Sequence, residues 1–352
     1  MKIGVITFHW ASNYGAVLQT YSLVNYLKKE VGADVKVIDY CPKNQEISLF
    51  NSVKVRKPQI IAQKLKELRR EKKIKSFRKK LPLTKRYYLN QQLKEEPLDL
   101  DYVLTGSDQI WNPSFLMWGE RGKAPTYYLD FVDGNTKRLS VSASFGCHFL
   151  PEECQNIAKP LLEKFEGISV RENTGIEILS SMGINDATVT ADPTSLITRE
   201  DLMELCGVED SYAKNRVSTF ILREQEDKTK ELISSICSVL SDEKPVDIDY
   251  LSMEDWLAAI RDSRFVVTNS FHCVMMCLKL HTPFCVILEN GKRSGMNDRF
   301  TTLFNKLNLT ERMITSTDDI QTIKKEIDFD SVDIQLLEYS TSLKSFLERN
   351  LK

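Results

Sequence analysis

One histidine stands where a predicted strand gives way to a predicted helix. The apolar segment Phe265–Thr268 predicts a buried strand, Phe271–Leu280 predicts a buried helix, and His272 lies at the joint between them. In an open α/β sheet, ligands bind beyond the carboxyl ends of the strands, where helix N-termini favour anions. Because an imidazole changes its charge near neutral pH, His272 could exchange a proton with an anionic substrate. The alternative is a structural histidine that only makes hydrogen bonds.

Three cations also follow predicted strands. Arg171 comes directly after the strand at 168–170, where its planar guanidinium could bind a carboxylate or a phosphate through two hydrogen bonds. Lys292 and Arg293 stand in a glycine-flanked loop after the strand that follows His272. The alternatives are an ion pair between Arg171 and Glu172, and a solvated loop. Together these residue types predict a cleft that binds a small anion.

Two groups of polar residues follow strands in the first half of the chain. The first group could bring a ligand to backbone N–H groups at a helix N-terminus; it comprises Asn13, Tyr14 and Gly15. The second group could hydrogen-bond sugar hydroxyls and stack an indole on a sugar ring; it comprises Ser107, Asp108, Gln109, Trp111 and Asn112. The alternatives are a helix cap for the first group and a capped turn with a core tryptophan for the second.

The elements that would position these residues alternate between strand and helix through both halves of the chain. This alternation predicts an α/β fold with mainly parallel sheets. We place one Rossmann-like domain at 1–196 and a second at 197–330, with a final helix at 331–352 that could pack back across the junction. The opening β-α-β unit lacks the G-x-G-x-x-G turn, so no dinucleotide site is indicated.

Composition excludes several classes of protein. The 352 residues are 42% hydrophobic and 28% charged, with a formal net charge of −1, so no global charge excess indicates nucleic-acid binding. No apolar run approaches the roughly 20 residues that span a bilayer. The eight cysteines form no C-x-x-C pair, and no G-x-S-x-G, H-E-x-x-H or Walker motif occurs. We therefore expect a cytoplasmic protein with reduced cysteines.

The segment 54–86 is strongly basic, with fifteen Lys or Arg residues against Glu67 and Glu71. An irregular apolar stripe runs through it and predicts a helical insertion. A basic amphipathic helix could make peripheral contact with an anionic membrane. The alternative is a solvated helix that the apolar stripe packs against its domain.

Taken together in their order along the chain, six short motifs resemble the polysaccharide pyruvyl transferase family. They lie at 7–19, 106–112, 142–146, 169–172, 192–194 and 268–272, and the resemblance runs from residue 3 to about 310. It implies a GT-B-like fold in which two Rossmann-like domains face a cleft. It also implies transfer of pyruvate from phosphoenolpyruvate to a sugar as a ketal, with release of phosphate, in surface polysaccharide biosynthesis.

The resemblance also assigns roles to individual residues. Arg171 matches the arginine that binds phosphoenolpyruvate, His272 matches the histidine at the reacting centre, and Lys292 is similar to a further phosphoenolpyruvate contact. The scheme requires no cofactor and no metal. The sugar acceptor could be lipid-linked, which would place the enzyme at the inner face of the membrane.

Ser270 departs from the family pattern, because many members have arginine two residues before the histidine. Arg293 could supply the anion contact instead. Two other functions remain open: a GT-B glycosyltransferase that uses a nucleotide sugar, and a non-catalytic sugar-binding subunit.

Overall fold

The chain folds as two α/β units, each built on one parallel sheet. The structure is a computed structural model that describes residues 1–42, 58–116, 125–223, 225–288 and 297–352. Unit 1 comprises Met1–Leu196 together with Tyr339–Lys352, and unit 2 comprises Ile197–Glu338. The predicted α/β class with parallel sheets is confirmed.

Sheet one has six strands and forms the centre of unit 1. Its strands are β1 (Lys2–Ile6), β2 (Asp34–Val37), β3 (Tyr102–Asp108), β4 (Lys137–Ala143), β5 (Gly167–Val170) and β6 (Ala187–Val189). They pair in the order β2-β1-β3-β4-β5-β6, and every pair is parallel. The chain leaves β1 in one direction to β2 and then in the other to β3. The gap between the ends of β1 and β3 is therefore a topological switch point, where such sheets bind ligands.

Helices cover the strands of unit 1 and connect them. They are α1 (Tyr14–Lys29), α2 (Pro58–Arg78), α3 (Asn90–Glu95), α4 (Pro113–Leu116), α5 (Glu152–Leu162) and α6 (Asn173–Ser181), with 3₁₀ turns at Pro125–Tyr128 and Pro193–Ser195. Both ends of helix α1 carry residues that stabilise it. Asn13 caps its first turn, and Lys28 and Lys29 lie in its last turn, where positive charges interact favourably with the helix dipole.

Sheet two has five strands and forms the centre of unit 2. Its strands are β7 (Val217–Phe220), β8 (Val246–Asp247), β9 (Phe265–Thr268), β10 (Phe284–Ile287) and β11 (Met313–Ile314). They pair in the order β11-β10-β9-β7-β8, which puts a second switch point between β7 and β9. The helices are α7 (Arg199–Cys206), α8 (Asp227–Leu240), α9 (Met253–Asp262), α10 (Phe271–Leu280), α11 (Asp298–Leu307) and α12 (Phe329–Asn350), with 3₁₀ turns at Thr310–Arg312 and Thr317–Lys324.

Helix α12 is divided between the units, because its residues from Tyr339 onward belong to unit 1. Among the described residues, no helix combines the length and the apolar character needed to cross a bilayer.

Two predicted elements have different bounds in the structure. The apolar pattern after α1 predicts a strand at 35–40. In the structure β2 ends at Val37, because the chain there pairs with another segment: Val37 bridges Leu83 and Tyr40 bridges Tyr87. The apolar spacing also predicts a helix at 157–165. In the structure this helix, α5, begins earlier, at Glu152, with two acidic residues in its first turn. Acidic side chains in the first turn interact favourably with the helix dipole.

The basic helix α2 packs on unit 1 through part of its apolar stripe. Ile74 and Phe77 are fully buried, Leu81 is 5% exposed, and the ring of Phe77 lies 5.1 Å from that of Tyr21 in α1. This end of the segment therefore fits the alternative in which the stripe holds the helix against its domain.

Candidate functional site

A network of buried polar side chains crosses the switch point of unit 1. Gln19 in α1 lies between Thr7, which follows β1, and Ser107, near the end of β3. Gln19 Nε2 donates to Thr7 Oγ1 at 2.9 Å, and Gln19 Oε1 accepts the backbone N–H of Ser107 at 3.2 Å. Thr7 Oγ1 in turn donates to the carbonyl of Ser107 at 3.1 Å. All three residues are fully buried, so these hydrogen bonds hold the two strand ends in one arrangement.

Asp192 connects this network to Arg171. Its Oδ2 atom accepts from Ser107 Oγ at 2.9 Å and from Arg171 Nη1 at 3.1 Å. Its Oδ1 atom accepts from the backbone N–H and the hydroxyl of Thr194 at 2.9 and 2.7 Å. We call Thr7, Gln19, Ser107, Arg171 and Asp192 the strand-end network. Asp192 lies in the motif at 192–194 but is not among the site residues predicted from the sequence, although its position just after a strand was a usable signal.

Arg171 lies between two carboxylates. Its side chain is 1% exposed, with Nη1 3.1 Å from Asp192 and Nε 3.5 Å from Glu172. Burial opposes its positive charge, but the attraction of Glu172, Asp192 and Asp108 outweighs burial and raises the pKa of Arg171. Arg171 is therefore a fixed cation at the carboxyl end of β5, and the ion pair with Glu172 that was the alternative is present.

Gln109 and Asn112 meet over a glycine of another motif. Their side chains are partly buried, and Asn112 Nδ2 lies 3.4 Å from Gln109 Oε1. Gly146 has a φ of +60°, and a Cβ there would stand 2.6 Å from Gln109 Oε1. Asp108, also partly buried, accepts the backbone N–H of Gln109 at 2.8 Å. The motifs at 106–112 and 142–146 thus form one polar turn after β3 and β4, and glycine fits where a side chain would clash.

Trp111 lies in the core of unit 1. It is fully buried, its ring stacks on Tyr128 at 5.5 Å and 7°, and its indole N–H donates to the carbonyl of Tyr127 at 3.1 Å. This placement supports the alternative of a core tryptophan over stacking on a sugar.

Asn13, Tyr14 and Gly15 form the start of α1. Asn13 Oδ1 accepts the backbone N–H groups of Gly15 and Ala16 at 2.9 and 3.4 Å, and Tyr14 is 2% exposed. Because the Asn13 side chain takes these N–H groups itself, the placement supports the helix-cap alternative.

In unit 2, Thr268 and Asn269 cross the second switch point. Thr268 Oγ1 donates to the carbonyl of Phe220 at the end of β7 at 2.6 Å. Asn269 exchanges two hydrogen bonds with the backbone of Leu222, accepting its N–H at 2.7 Å and donating to its carbonyl at 3.2 Å. This bracing of β7 and β9 lies directly before the candidate histidine.

His272 lies in the first turn of α10, as the sequence predicts. Ser270 is the N-cap of this helix and accepts the backbone N–H of Cys273 at 3.4 Å. His272 is 6% exposed, and its ring meets that of Phe271 edge-on at 5.7 Å. Ser270 therefore has a structural role as the N-cap at the position where the resemblance implies arginine, since serine is a good N-cap and arginine is not.

Lys292 and Arg293 lie outside the described residues. A described cation near the start of α10 is Arg299. It is 8% exposed, and its guanidinium carbon lies 5.7 Å from the ring centre of Phe271 and 5.3 Å from that of Phe300. These distances are those of cation–π contacts, so the rings of Phe271 and Phe300 hold Arg299 near the start of α10.

The fold and the strand-end residues together define a protein of two Rossmann-like units with polar groups at both switch points, as in GT-B-like enzymes. The model of the family described as polysaccharide pyruvyl transferase matches residues 13–290. The chain belongs to this family, which is a family of transferases. A search of curated protein sequences gives no match.

Solved structures share the fold at low sequence identity. UDP-GlcNAc 2-epimerase from Neisseria meningitidis bound to UDP-GlcNAc has a TM-score of 0.50 at 10% identity, with 100% of each chain covered. UDP-N-acetylglucosamine 2-epimerase from Rickettsia bellii has a TM-score of 0.49 at 10% identity, covering 99% of this chain and 95% of that one. The S. aureus MnaA-UDP co-structure has a TM-score of 0.49 at 12% identity, covering 97% of this chain and 92% of that one. The GT-B-like class predicted from the sequence is confirmed, and at these identities the likeness concerns the fold alone.

Proposed function

We propose that this protein transfers pyruvate from phosphoenolpyruvate to a sugar as a ketal, with release of phosphate, in the biosynthesis of a surface polysaccharide. The observation that carries the proposal is the family match over 13–290, which includes both Arg171 and His272. Phosphoenolpyruvate is a small molecule with two anionic groups. Fixed cations at the ends of parallel strands suit such a ligand.

The reaction begins with a proton for the methylene carbon of the donor, which becomes the methyl group of the ketal. We assign this proton to His272 in its charged form. One sugar hydroxyl then bonds to the neighbouring carbon, the bond from that carbon to the phosphate oxygen breaks, and a second hydroxyl closes the ring. Of the two hydroxyl protons, one restores His272 and the other leaves with phosphate. Carbon is neither oxidised nor reduced overall, and the balance needs no cofactor.

Arg171 is proposed to bind the carboxylate or the phosphate of the donor. Because its side chain is 1% exposed, contact with the donor requires a local movement of the groups that cover it. Asp192 would keep the guanidinium oriented during that movement through its hydrogen bond of 3.1 Å. In unit 2, Arg299 is a further candidate for an anion contact, in addition to Lys292 and Arg293, which were proposed from the sequence.

The acceptor sugar is proposed to contact the polar turn of unit 1. Asp108, Gln109 and Asn112 are partly exposed, so their amide and carboxylate groups suit sugar hydroxyls better than the buried Ser107 and Trp111 do. We place the reaction in the cytoplasm, with a lipid-linked acceptor at the inner face of the membrane.

The test uses purified protein with phosphoenolpyruvate and a panel of sugar acceptors. We expect phosphate release together with an acceptor product whose mass has increased by that of pyruvic acid minus one water molecule. His272→Gln should lower kcat by about 10²–10⁴-fold, the usual contribution of a general acid. His148→Gln is the matched control, because His148 is exposed, and it should keep full activity. Full activity of His272→Gln would contradict the assigned role.

A thermal-shift comparison addresses the two other functions. Phosphoenolpyruvate should raise Tm, since a ligand that binds only the folded state stabilises it. A rise with UDP-sugars but not with phosphoenolpyruvate would favour a nucleotide-sugar transferase. Sugar binding without turnover under any condition would favour a non-catalytic subunit.

A further inference from the structure

From Arg69 onward, the outer side of helix α2 carries a cluster of cations. It is formed by exposed side chains that we call the cationic face: Arg69, Lys72, Lys73, Lys75, Lys79 and Lys80. Four of them lie in the helix, and at about 100° per residue they span an arc of about 160°. The last two follow the final residue of the helix. A straight helix with cations along one side presents them to a flat partner.

The acid that could compensate these charges points the other way. Glu71 is the only acidic residue between 68 and 81. Its two oxygens accept from Arg78 at 2.6 and 2.7 Å, and it also accepts the hydroxyl of Ser12. Within the described parts of the chain, Lys72, Lys73 and Lys75 make no ion pair with an acidic side chain. The charges of Lys72, Lys73 and Lys75 therefore remain available to a partner.

The same contacts fix the helix beside the strand ends of unit 1. Arg78 donates to the carbonyl of Ala11 at 3.1 Å, and Ser12 donates to Glu71, so α2 is fastened to the turn directly before α1. Arg78 is 5% exposed, so it forms part of this attachment and not of the outer surface. The cationic face is thus carried rigidly by the unit that holds Arg171.

The buried apolar residues at this end of α2 decide how the surface can bind. An interfacial helix binds a bilayer by inserting its apolar side. Here Ile74 and Phe77 are fully buried against unit 1, so they are not available for insertion. From Arg69 to Lys80 the exposed side chains are cationic apart from Ser76, and Leu65, 48% exposed, lies about one turn before Arg69. Binding through the cationic face is therefore mainly electrostatic and sensitive to salt.

We propose that the cationic face docks unit 1 on an anionic phospholipid surface without insertion of the helix. The net charge of the chain is −1, so the rest of its surface is collectively acidic and would repel a large polyanion that wraps around the molecule. A flat anionic surface contacts one side of the molecule and can therefore bind the cationic face without meeting the acidic ones. The choice of a lipid surface rests in part on the proposed function, because a lipid-linked acceptor lies in such a surface. Each cation near an anionic bilayer contributes about fivefold to binding.

The experiment is co-flotation of the full chain with vesicles of phosphatidylcholine, with or without phosphatidylglycerol. The wild-type protein should float only with phosphatidylglycerol vesicles, and high salt should release it. The triple variant Lys72→Glu/Lys73→Glu/Lys75→Glu should bind at least about a hundredfold more weakly. The control is Lys228→Glu/Lys244→Glu/Lys324→Glu, which makes the same charge change at exposed positions of unit 2 and should bind as the wild type does.

Several outcomes overturn the docking proposal. They are equal binding of the two triple variants, equal flotation with neutral vesicles, binding that persists in high salt, and binding to single-stranded DNA without binding to phosphatidylglycerol vesicles. Phosphate release with a soluble acceptor is measured on the same samples and should be unchanged in the cationic-face variant. Vesicle binding without any phosphate release would refute the proposed reaction and leave the docking surface standing.

Discussion

Asp39 shows how one buried carboxylate joins segments that are distant in sequence. His9 Nε2 lies 3.0 Å from Asp39 Oδ1, and Arg86 Nε lies 3.0 Å from Asp39 Oδ2. Burial opposes the charge of Asp39, but the hydrogen bonds and charges of His9 and Arg86 outweigh it and lower the pKa of Asp39. His9 also contacts the carbonyl of Thr7 at 3.2 Å, so this group of residues adjoins the strand-end network.

The direction of this pKa shift predicts a pH dependence of stability. Because the pKa of Asp39 is lower in the folded state, its ionised form stabilises the fold above about pH 4, the usual carboxyl value. That contribution is lost as pH falls through the folded pKa. Asp39→Asn should lower the free energy of unfolding by about 1–3 kcal/mol at pH 7, and the difference should shrink below about pH 4.

Urea denaturation across this pH range measures the effect. Asp186→Asn removes an exposed carboxylate of the same unit and should change little at any pH. A destabilisation of Asp39→Asn that stayed constant down to low pH would contradict the assigned cause.

At the scale of elements, the local hydrophobic pattern was enough to predict individual strands and helices. The strand Phe265–Thr268 and the helix Phe271–Leu280 were predicted with the bounds that the structure shows. Each carries its own signal, either a continuous apolar run or a helical period. Partners far apart in sequence carry no such signal. The hydrogen bonds between Ser107 and Gln19 and between Arg171 and Asp192 form only because the parallel sheet brings strand ends together. The strand-end network could therefore not be predicted from the sequence pattern alone.

The start of α1 gives a prediction at this scale. Asn13→Ala should remove the cap and lower the free energy of unfolding by about 1 kcal/mol. Asn13→Ser keeps a capping oxygen and should retain most of that stability. If Asn13 acts only as a cap, both variants keep the wild-type kcat/KM for phosphate release well below their Tm. A clear loss of kcat/KM in the stable Asn13→Ser variant would show instead that this side chain contacts a ligand.

At the scale of the whole molecule, the last helix completes the unit that begins the chain. Ser342 Oγ accepts the backbone N–H of Ala191 at 3.0 Å, and the hydroxyl of Tyr102 donates to the carbonyl of Lys352 at 2.7 Å. Tyr339 lies against Asp192, and burial together with the charge of Asp192 raises the pKa of its hydroxyl. Tyr339 and Ser342 of α12 therefore contact Ala191 and Asp192 beside Arg171, whereas Lys352 contacts Tyr102 at the opposite, amino-terminal end of β3.

Two leucines of α12 test this support. Leu343 is fully buried and Leu337 is 62% exposed. Leu343→Ala should lower the free energy of unfolding by about 2–5 kcal/mol, because it leaves a cavity. Leu337→Ala should change it by no more than about 0.5 kcal/mol. Hydrogen exchange should show faster exchange in the strands of unit 1 for Leu343→Ala only; equal exchange in the two variants would contradict the support.

The division of α12 between the units has a consequence for synthesis on the ribosome. Unit 1 contains Met1–Leu196 and also Tyr339–Lys352, so its first strand is made long before its last helix. The nascent chain must emerge through residue 352 before the final contacts of unit 1 can form. Unit 2 lies wholly between these two segments, so it has all its residues available earlier. The unit that starts the chain is therefore the later of the two to be completed: its six strands are all made by residue 189, but the helical segment that packs on them is made last.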